Sequence, residues 1–259
     1  MKQAAYKIAT NAYGLYKFFR NVKFLSKDQF NNKSIAIVGA AGTAFKVERK
    51  DYLESFNYIV RINRAIISWK QEQERFVGKR TDILIHNFFE NDTTGGAGAL
   101  NTQLFDKFGL RLLIQPRFDY VGIRTIVNFY KKYKINYTVY TFSPWHYRKL
   151  KQRFGKHHPT RGFYSLYIAL TANCSSVFVT GFTFFMTPYQ GGYRSSQADV
   201  KSAKALIEKQ GYHDPDLELE LFLELIEDSP AKEIVLDEFL YDLVIGKKPE
   251  LVDRVVLVE

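Results

Sequence analysis

The chain has 259 residues, 46% of them hydrophobic and 25% charged, which suits one large α/β domain and excludes disordered, collagen-like and disulfide-stapled classes. No run approaches the roughly 20 consecutive apolar residues of a membrane-spanning helix. The start lacks the unbroken apolar core of a secretory signal. A single cysteine, Cys174, cannot form an intrachain disulfide, so a reducing, cytoplasmic setting is expected.

Charge is unevenly spread along the chain. Tyr212–Glu259 holds 14 acidic and 4 basic residues. With +10 overall and −10 in this segment, the rest carries +20. A basic body implies anionic partners such as phosphates, nucleic acid or a membrane surface. No helix-turn-helix, zinc-finger or aromatic RNA-binding signature accompanies it, so nucleic acid is not expected.

In chain order, residues 1–33 form a basic arm with seven Lys/Arg and one acid, Asp28. Its apolar residues, among them Ile8, Tyr13, Leu15, Tyr16, Phe18, Phe19, Val22 and Phe24, recur near helical spacing. Two readings are open: an amphipathic helix lying in an anionic membrane surface, or a helix packed on the domain. Residues 34–259 read as the single remaining domain, because no repeat or low-complexity tract divides them. Short apolar runs at 34–38, 58–62, 82–86, 111–115, 137–141 and 177–180 predict strands. Helical stretches are expected at 45–55, 162–173 and 217–244, with a mobile loop at 92–98. Continuous apolar strands alternating with helices predict a Rossmann-like α/β fold, its mostly parallel sheet covered by helices on both faces.

Two turns carry candidate chemistry. Gly39-Ala40-Ala41-Gly42, with Thr43, follows the first clear strand and opens a helix, where backbone N–H groups can approach a phosphate. The bland reading is a packing turn. Pro159-Thr160-Arg161-Gly162 repeats the logic before a second helix, with Thr160 as a plain N-cap as its alternative. The strand at 58–62 lacks a ribose-binding acid and offers Arg61, Asn63 and Arg64, which keeps an NADP-dependent oxidoreductase open. His213-Asp-Pro-Asp-Leu-Glu218 places a histidine ahead of an acidic helix start, suited to a general base. Asp214 and Asp216 read either as a metal pair or as helix caps. His86, His146, His157 and His158 have no convincing zinc spacing.

Together these pieces resemble the animal-type sialyltransferases. Residues 34–42, 58–65 and 78–82 look like the large sialyl motif, residues 159–174 through Val179-Thr-Gly-Phe182 like the small one, and residues 211–218 like the very short one. The resemblance spans about 34–225. It departs where the family usually has asparagine (here Ala40) and serine then threonine (here Thr160 and Arg161). Cys174 also lacks the partner of the family's disulfide. The tyrosine-bearing motif between the small and very short ones is not clean, with Tyr189, Tyr193 and Arg194 as the nearby candidates. No membrane anchor is expected ahead of the motifs.

The resemblance implies a variant glycosyltransferase A fold and transfer of a 3-deoxy-ulosonic acid, sialic acid or Kdo, from its CMP derivative to a glycan or lipid-linked saccharide. His213 would be the base of an inverting reaction and Glu218 its orienting carboxylate. Gly39–Thr43, Arg61, Asn63, Asn87, Thr160, Arg161, Gly162, Phe182 and Tyr193 or Arg194 would hold the donor, with no metal and no cofactor beyond that substrate. A non-enzymatic nucleic-acid or membrane-binding protein is the other alternative, leaving His213 and Glu218 without a role.

Overall fold

The computed structural model describes residues 2–91, 97–191 and 211–258. A long helix, α1 (Lys2–Asn21), runs directly into β1 (Val22–Phe24). There follow β2 (Ser34–Val38), α2 (Lys50–Glu54), β3 (Tyr58–Ile62), α3 (Glu74–Val77), β4 (Ile83–Ile85), α4 (Gln103–Phe108) and β5 (Leu112–Ile114). Next come α5 (Tyr120–Tyr133), β6 (Val139–Thr141), α6 (Pro144–Arg153), α7 (Arg161–Leu170) and β7 (Ser176–Thr180). The chain closes with α8 (Pro215–Glu227), β8 (Ile234–Leu236), α9 (Glu238–Lys247) and β9 (Val256–Leu257). These strands form one sheet in the order β1-β6-β5-β4-β3-β2-β7-β8-β9, and every neighbouring pair is parallel.

Strict alternation along the strands explains why both faces are covered. Ile35 and Ile37 of β2, with Val177 and Val179 of β7 and Ile234 and Leu236 of β8, join one core with α6, α7, α8 and α9. Their neighbours Ala36, Val38, Phe178 and Val235 face the other side and pack on α2 and α3. Leu84 and Leu113 continue that second face under α4 and α5. Each fully buried Ile or Leu contributes ~1.5–3 kcal/mol, so a parallel sheet of this kind depends on having helices on both sides.

The strands expected at 34–38 and 58–62 appear with those limits, and the other predicted strands are one or two residues shorter or longer. The predicted helix 45–55 is instead a 3₁₀ turn, Gly42–Phe45, followed by the five-residue α2. The acidic end is not one helix. Ser229 leaves α8 to bond the carbonyl of Leu170, Pro230 follows, and the three-residue β8 joins the sheet before α9 begins. Such a short apolar run shows no periodicity to distinguish it from helix.

Residues 1–33 reach the sheet as well as its surface. Gly14 lets α1 approach α5 closely, since a Cβ there would lie 2.6 Å from Lys131 Cγ and 2.9 Å from the Val127 carbonyl. Lys131 Nζ donates to Asn11 Oδ1 at 2.6 Å, and Phe18 packs on the core beneath α5. β1 then pairs with β6, with Val22 opposite Val139, and Phe30 is fully buried.

At the centre, β2 and β7 are bridged by their following turns. Gly39 N donates to Thr180 O at 2.8 Å and Ala41 N to Gly181 O at 3.1 Å. A Cβ on Gly39 would sit 2.1 Å from the Gly181 carbonyl oxygen, which is backbone and cannot swing away. Gly39→Ala should therefore lower the melting temperature by on the order of 5 °C, from an overpacking cost of ~1–3 kcal/mol. Gly246→Ala, where the added methyl meets nothing within 4 Å, serves as control and should leave it unchanged or slightly raised.

Candidate active site

Strand order reverses at β2: β3 to β6 lie on one side of it, β7 to β9 on the other. Open parallel sheets bind ligands in the crevice beyond the carboxyl ends of the strands at such a switch point. Backbone conformation marks the same edge. Among the described residues six non-glycines have positive φ, and four of them, Asn63, Phe88, Phe184 and Phe185, lie just past the ends of β3, β4 and β7. Such residues cost ~1–3 kcal/mol each and persist where surrounding structure holds them.

The Gly39–Gly42 turn is built chiefly by packing. Its Gly39 and Ala41 amides are already used on the β7 turn, and Gly42 N points to Pro188 O at 3.4 Å. Ala40 accepts from Gln190 N at 2.8 Å, and Thr43 is buried with no partner for its hydroxyl among the described residues. Asn63 and Asn87 come together: Asn87 N donates to Asn63 Oδ1 at 3.2 Å, and Gln115 Nε2 to Asn87 O at 3.0 Å. A side-chain ladder thus crosses the ends of β3, β4 and β5. Arg61 does not join it. Its guanidinium is buried and donates to the carbonyls of Val77, Gly78 and Arg80, where it terminates α3.

The second turn and the histidine element form one unit. Thr160 caps α7 by accepting from Phe163 N at 3.0 Å. Glu218, in the first turn of α8 and 3% exposed, accepts from Thr160 N at 2.6 Å and from Thr160 Oγ1 at 2.8 Å. His158 N donates to Tyr212 O at 2.8 Å, and the two rings stack at 4.5 Å. The His213 Nδ1 lies 2.6 Å from the His158 carbonyl oxygen. A carbonyl can only accept, so Nδ1 carries the proton, and in the neutral ring Nε2 is left as the basic nitrogen. Asp214 caps α8 through Leu217 N at 3.1 Å, while Asp216 is exposed. Gly162 lies under the Phe182 ring, which a Cβ there would meet at 3.1 Å.

Electrostatics single out Arg161. It is 9% exposed, and its Nε is buried with no hydrogen-bond partner among the described residues. Burial, and next to it the charge of Arg117, hold its pKa below the usual arginine value. Burial, then Arg161 itself, drives His86 down to about 3. His158 falls to about 4 through burial and then Arg117. Both rings are therefore neutral at physiological pH, and the local charge rests on two guanidiniums and Asp119. The Arg161 guanidinium lies 5.4 Å from the Tyr164 ring centroid and pairs with no carboxylate among the described residues. A buried cation of this kind is costly, so the position is suited to an anion.

Sequence reading missed Arg117, Asp119, Tyr147 and the role of His158 and Tyr212. Arg117 and Asp119 lie in the turn after β5, where Arg117 Nε donates to Asp119 Oδ2 at 3.1 Å and Tyr147 to the same oxygen. The available signal was a charged pair directly beyond a predicted parallel strand. Tyr193 and Arg194 lie outside the described residues, as does most of the 92–98 loop. Cys174 is buried, and burial raises its thiol to about 12. Among the described residues no cluster of three metal-ligating side chains forms.

The sequence matches the profile of glycosyltransferase family 29 (sialyltransferase) over residues 7–229. The chain belongs to that family. Its members take the sugar from a CMP derivative, so this chain is a CMP-sugar-dependent glycosyltransferase whose donor is a substrate rather than a cofactor. Solved structures share the fold. A mammalian sialyltransferase has 16% identity over 86% of this chain and 78% of its own, with a TM-score of 0.53. A mammalian sialyltransferase in complex with Gal-β-1,3-GalNAc-ortho-nitrophenol gives 14%, 85%, 77% and 0.52. The monofunctional α-2,3-sialyltransferase Cst-I of Campylobacter jejuni gives 16%, 83%, 78% and 0.51. No curated protein matches the sequence.

Glu218 generates a pH prediction. Burial pushes its carboxyl from 4.5 up to about 8; the Thr160 hydrogen bonds oppose this and Asp214 adds to it. Between those values the folded chain holds a proton that the unfolded chain has released, so stability falls as pH rises. From pH 5 to pH 8 the loss is at most about 3–4 kcal/mol, at roughly 1.4 kcal/mol per unit. Glu218→Gln keeps an acceptor for Thr160 N and removes the titration. Urea unfolding at the two pH values should show a smaller difference for this variant than for the natural chain.

Proposed function

We propose that the chain transfers a 3-deoxy-ulosonic acid, sialic acid or Kdo, from its CMP derivative to a glycan hydroxyl, with inversion at the anomeric carbon. The acceptor is a saccharide of a surface polysaccharide or lipooligosaccharide. The observation that carries this reading is His213, its Nδ1 proton tied to the His158 carbonyl and its Nε2 basic, beside the α7 N-terminus that holds Arg161. As the acceptor oxygen bonds to the anomeric carbon, its proton passes to His213 Nε2 and the bond to the phosphate oxygen breaks, releasing CMP. Arg161, with its unpartnered Nε, supports binding of the donor's carboxylate or phosphate. Asn63, Asn87 and the Gly39–Thr43 turn follow β3, β4 and β2 at the carboxyl ends of the same parallel strands. Glu218 acts through Thr160 and not on the reacting atoms.

The test is CMP release from CMP-sialic acid and from CMP-Kdo, with and without saccharide acceptors. His213→Ala should lower transfer by ~10²–10⁴-fold while the thermal shift produced by CMP stays that of the natural chain. Excess EDTA should leave the natural rate unchanged. A variant retaining half its activity would remove His213 as the base.

Work on a lipid-linked acceptor would place the enzyme at the inner face of the membrane. No described helix is long and apolar enough to cross a bilayer. Surface association is favoured by α1, where Ile8, Leu15 and Phe19 are exposed on one side, Phe19 at 80%, while Gly14 and Phe18 face the domain. Each nearby Lys or Arg adds ~1 kcal/mol at an anionic surface, and insertion of the exposed apolar stripe into lipid adds a part that salt does not screen. Leu15→Ser with Phe19→Ser is the suitable variant, because deleting residues 1–31 would remove β1 from the sheet. Co-sedimentation with anionic vesicles should weaken in salt without vanishing, and the double variant should lose the salt-resistant part. Equal pelleting of both proteins would show that the stripe does not bind lipid.

A further inference from the structure

Arg117 is 4% exposed, sits beyond the end of β5 and has no part in the chemistry described so far. Its Nε lies 3.3 and 3.1 Å from the two Asp119 oxygens, and its Nη2 also bonds Asp119. Asp119 is itself fixed: it caps α5 through Gly122 N at 2.8 Å and accepts from the Tyr147 hydroxyl. This leaves the Arg117 fork one free direction, and there Nη1 donates to the Tyr212 hydroxyl. Tyr212 immediately precedes His213. Its ring is stacked on His158, with an interplanar angle of 13°, and its carbonyl accepts from His158 N. The carbonyl of the same His158 orients the His213 ring. An unbroken chain of contacts thus runs from the α5 cap to the imidazole: Asp119, Arg117, Tyr212, His158, His213.

We infer that Arg117 is a positioning residue, which fixes the general base by holding Tyr212 against His158; the inference rests on His213 being that base. Two histidines and a tyrosine on a loop have many rotamers, and a misplacement of about 1 Å at a reacting atom costs up to about 100-fold in rate. The guanidinium suits the task because it is planar and bonds two partners at fixed angles, which an ammonium cannot do. Asp119 and Tyr147 supply the rigid end, and Tyr212 transmits the constraint to the loop.

The experiment compares Tyr212→Phe, Arg117→Lys and the double variant in acceptor-dependent CMP release, with kcat and the KM for the CMP-sugar measured separately. Tyr212→Phe keeps the stacked ring and loses only the hydroxyl. It should lower kcat about 10- to 100-fold with the donor KM unchanged. Arg117→Lys should fall by a similar factor, and the double variant no further than the worse single one, because both remove the same contact. Natural kcat in Tyr212→Phe, multiplied losses in the double variant, or a loss confined to donor KM would each overturn the inference. If Arg117→Lys fails to fold, Tyr212→Phe decides alone. A natural chain that releases no CMP from either CMP-sugar would overturn the functional reading and this inference with it. An active natural chain with an unaffected Tyr212→Phe overturns the inference only.

Discussion

The Glu218 carboxyl group, buried and shared between the Thr160 amide and hydroxyl, is the contact on which the site's geometry depends. It ties the first turn of α8 to the first turn of α7 across 58 residues of sequence. Without it the Pro159–Gly162 turn would keep its cap but lose its fixed distance from His213. Leaving the Thr160 amide unpaired in a buried position would cost ~1–3 kcal/mol. Burying the carboxylate is itself unfavourable, as its raised pKa shows. The arrangement therefore favours a defined position for two helix starts over maximal stability, a trade expected where geometry matters to rate.

Around that contact the parallel sheet provides a fixed edge. Gly39 and Gly181 bring the turns after β2 and β7 to backbone contact, which any added side chain at either position would break. Neighbouring strands end in polar residues that bond one another, Asn63 to Asn87 and Asn87 to Gln115. A further brace comes from Asp237, which caps α9 through Leu240 N and also accepts from Thr180 Oγ1 and Gly181 N. The turn after β7 is thus held by the turns that follow both neighbouring strands, β2 and β8.

Legibility in the sequence followed the setting of each feature as well as its length. β2 and β3 were readable because five consecutive strand residues end in a turn signal. β4, β5 and β6 have only three residues each but stand as separate apolar runs, whereas β1 lies in the arm and β8 in the acidic end, both of which read as helical. Thr160, Glu218 and His213 were legible as motif members, but their mutual contacts were not, because nothing in local spacing shows that positions 160 and 218 meet. Arg61 was legible as a cation near the end of β3, but its partners were not: alternation turns it to the α3 side, where three carbonyls engage it, while it lines one cavity with Gly39 and Ala40. Arg117 was overlooked because its importance lies in Tyr212, almost a hundred residues away.

Charge balance connects these parts to the donor. Two guanidiniums, Arg117 and Arg161, are more than nine-tenths buried beside a single carboxylate, Asp119. Neutral His86 and His158 add nothing to the total. Arg117 is compensated by Asp119, so the excess positive charge falls on Arg161, whose Nε has no partner among the described residues. The donor proposed above, a CMP-linked ulosonic acid, would bring a phosphate and a carboxylate, and either would neutralise that excess. Depressing the two neighbouring imidazoles has a second effect: no additional cation competes for the incoming anion's position. Under the proposed reaction the same cationic surroundings would favour CMP as the leaving group, because charge developing on its phosphate would be met by donors that are already oriented.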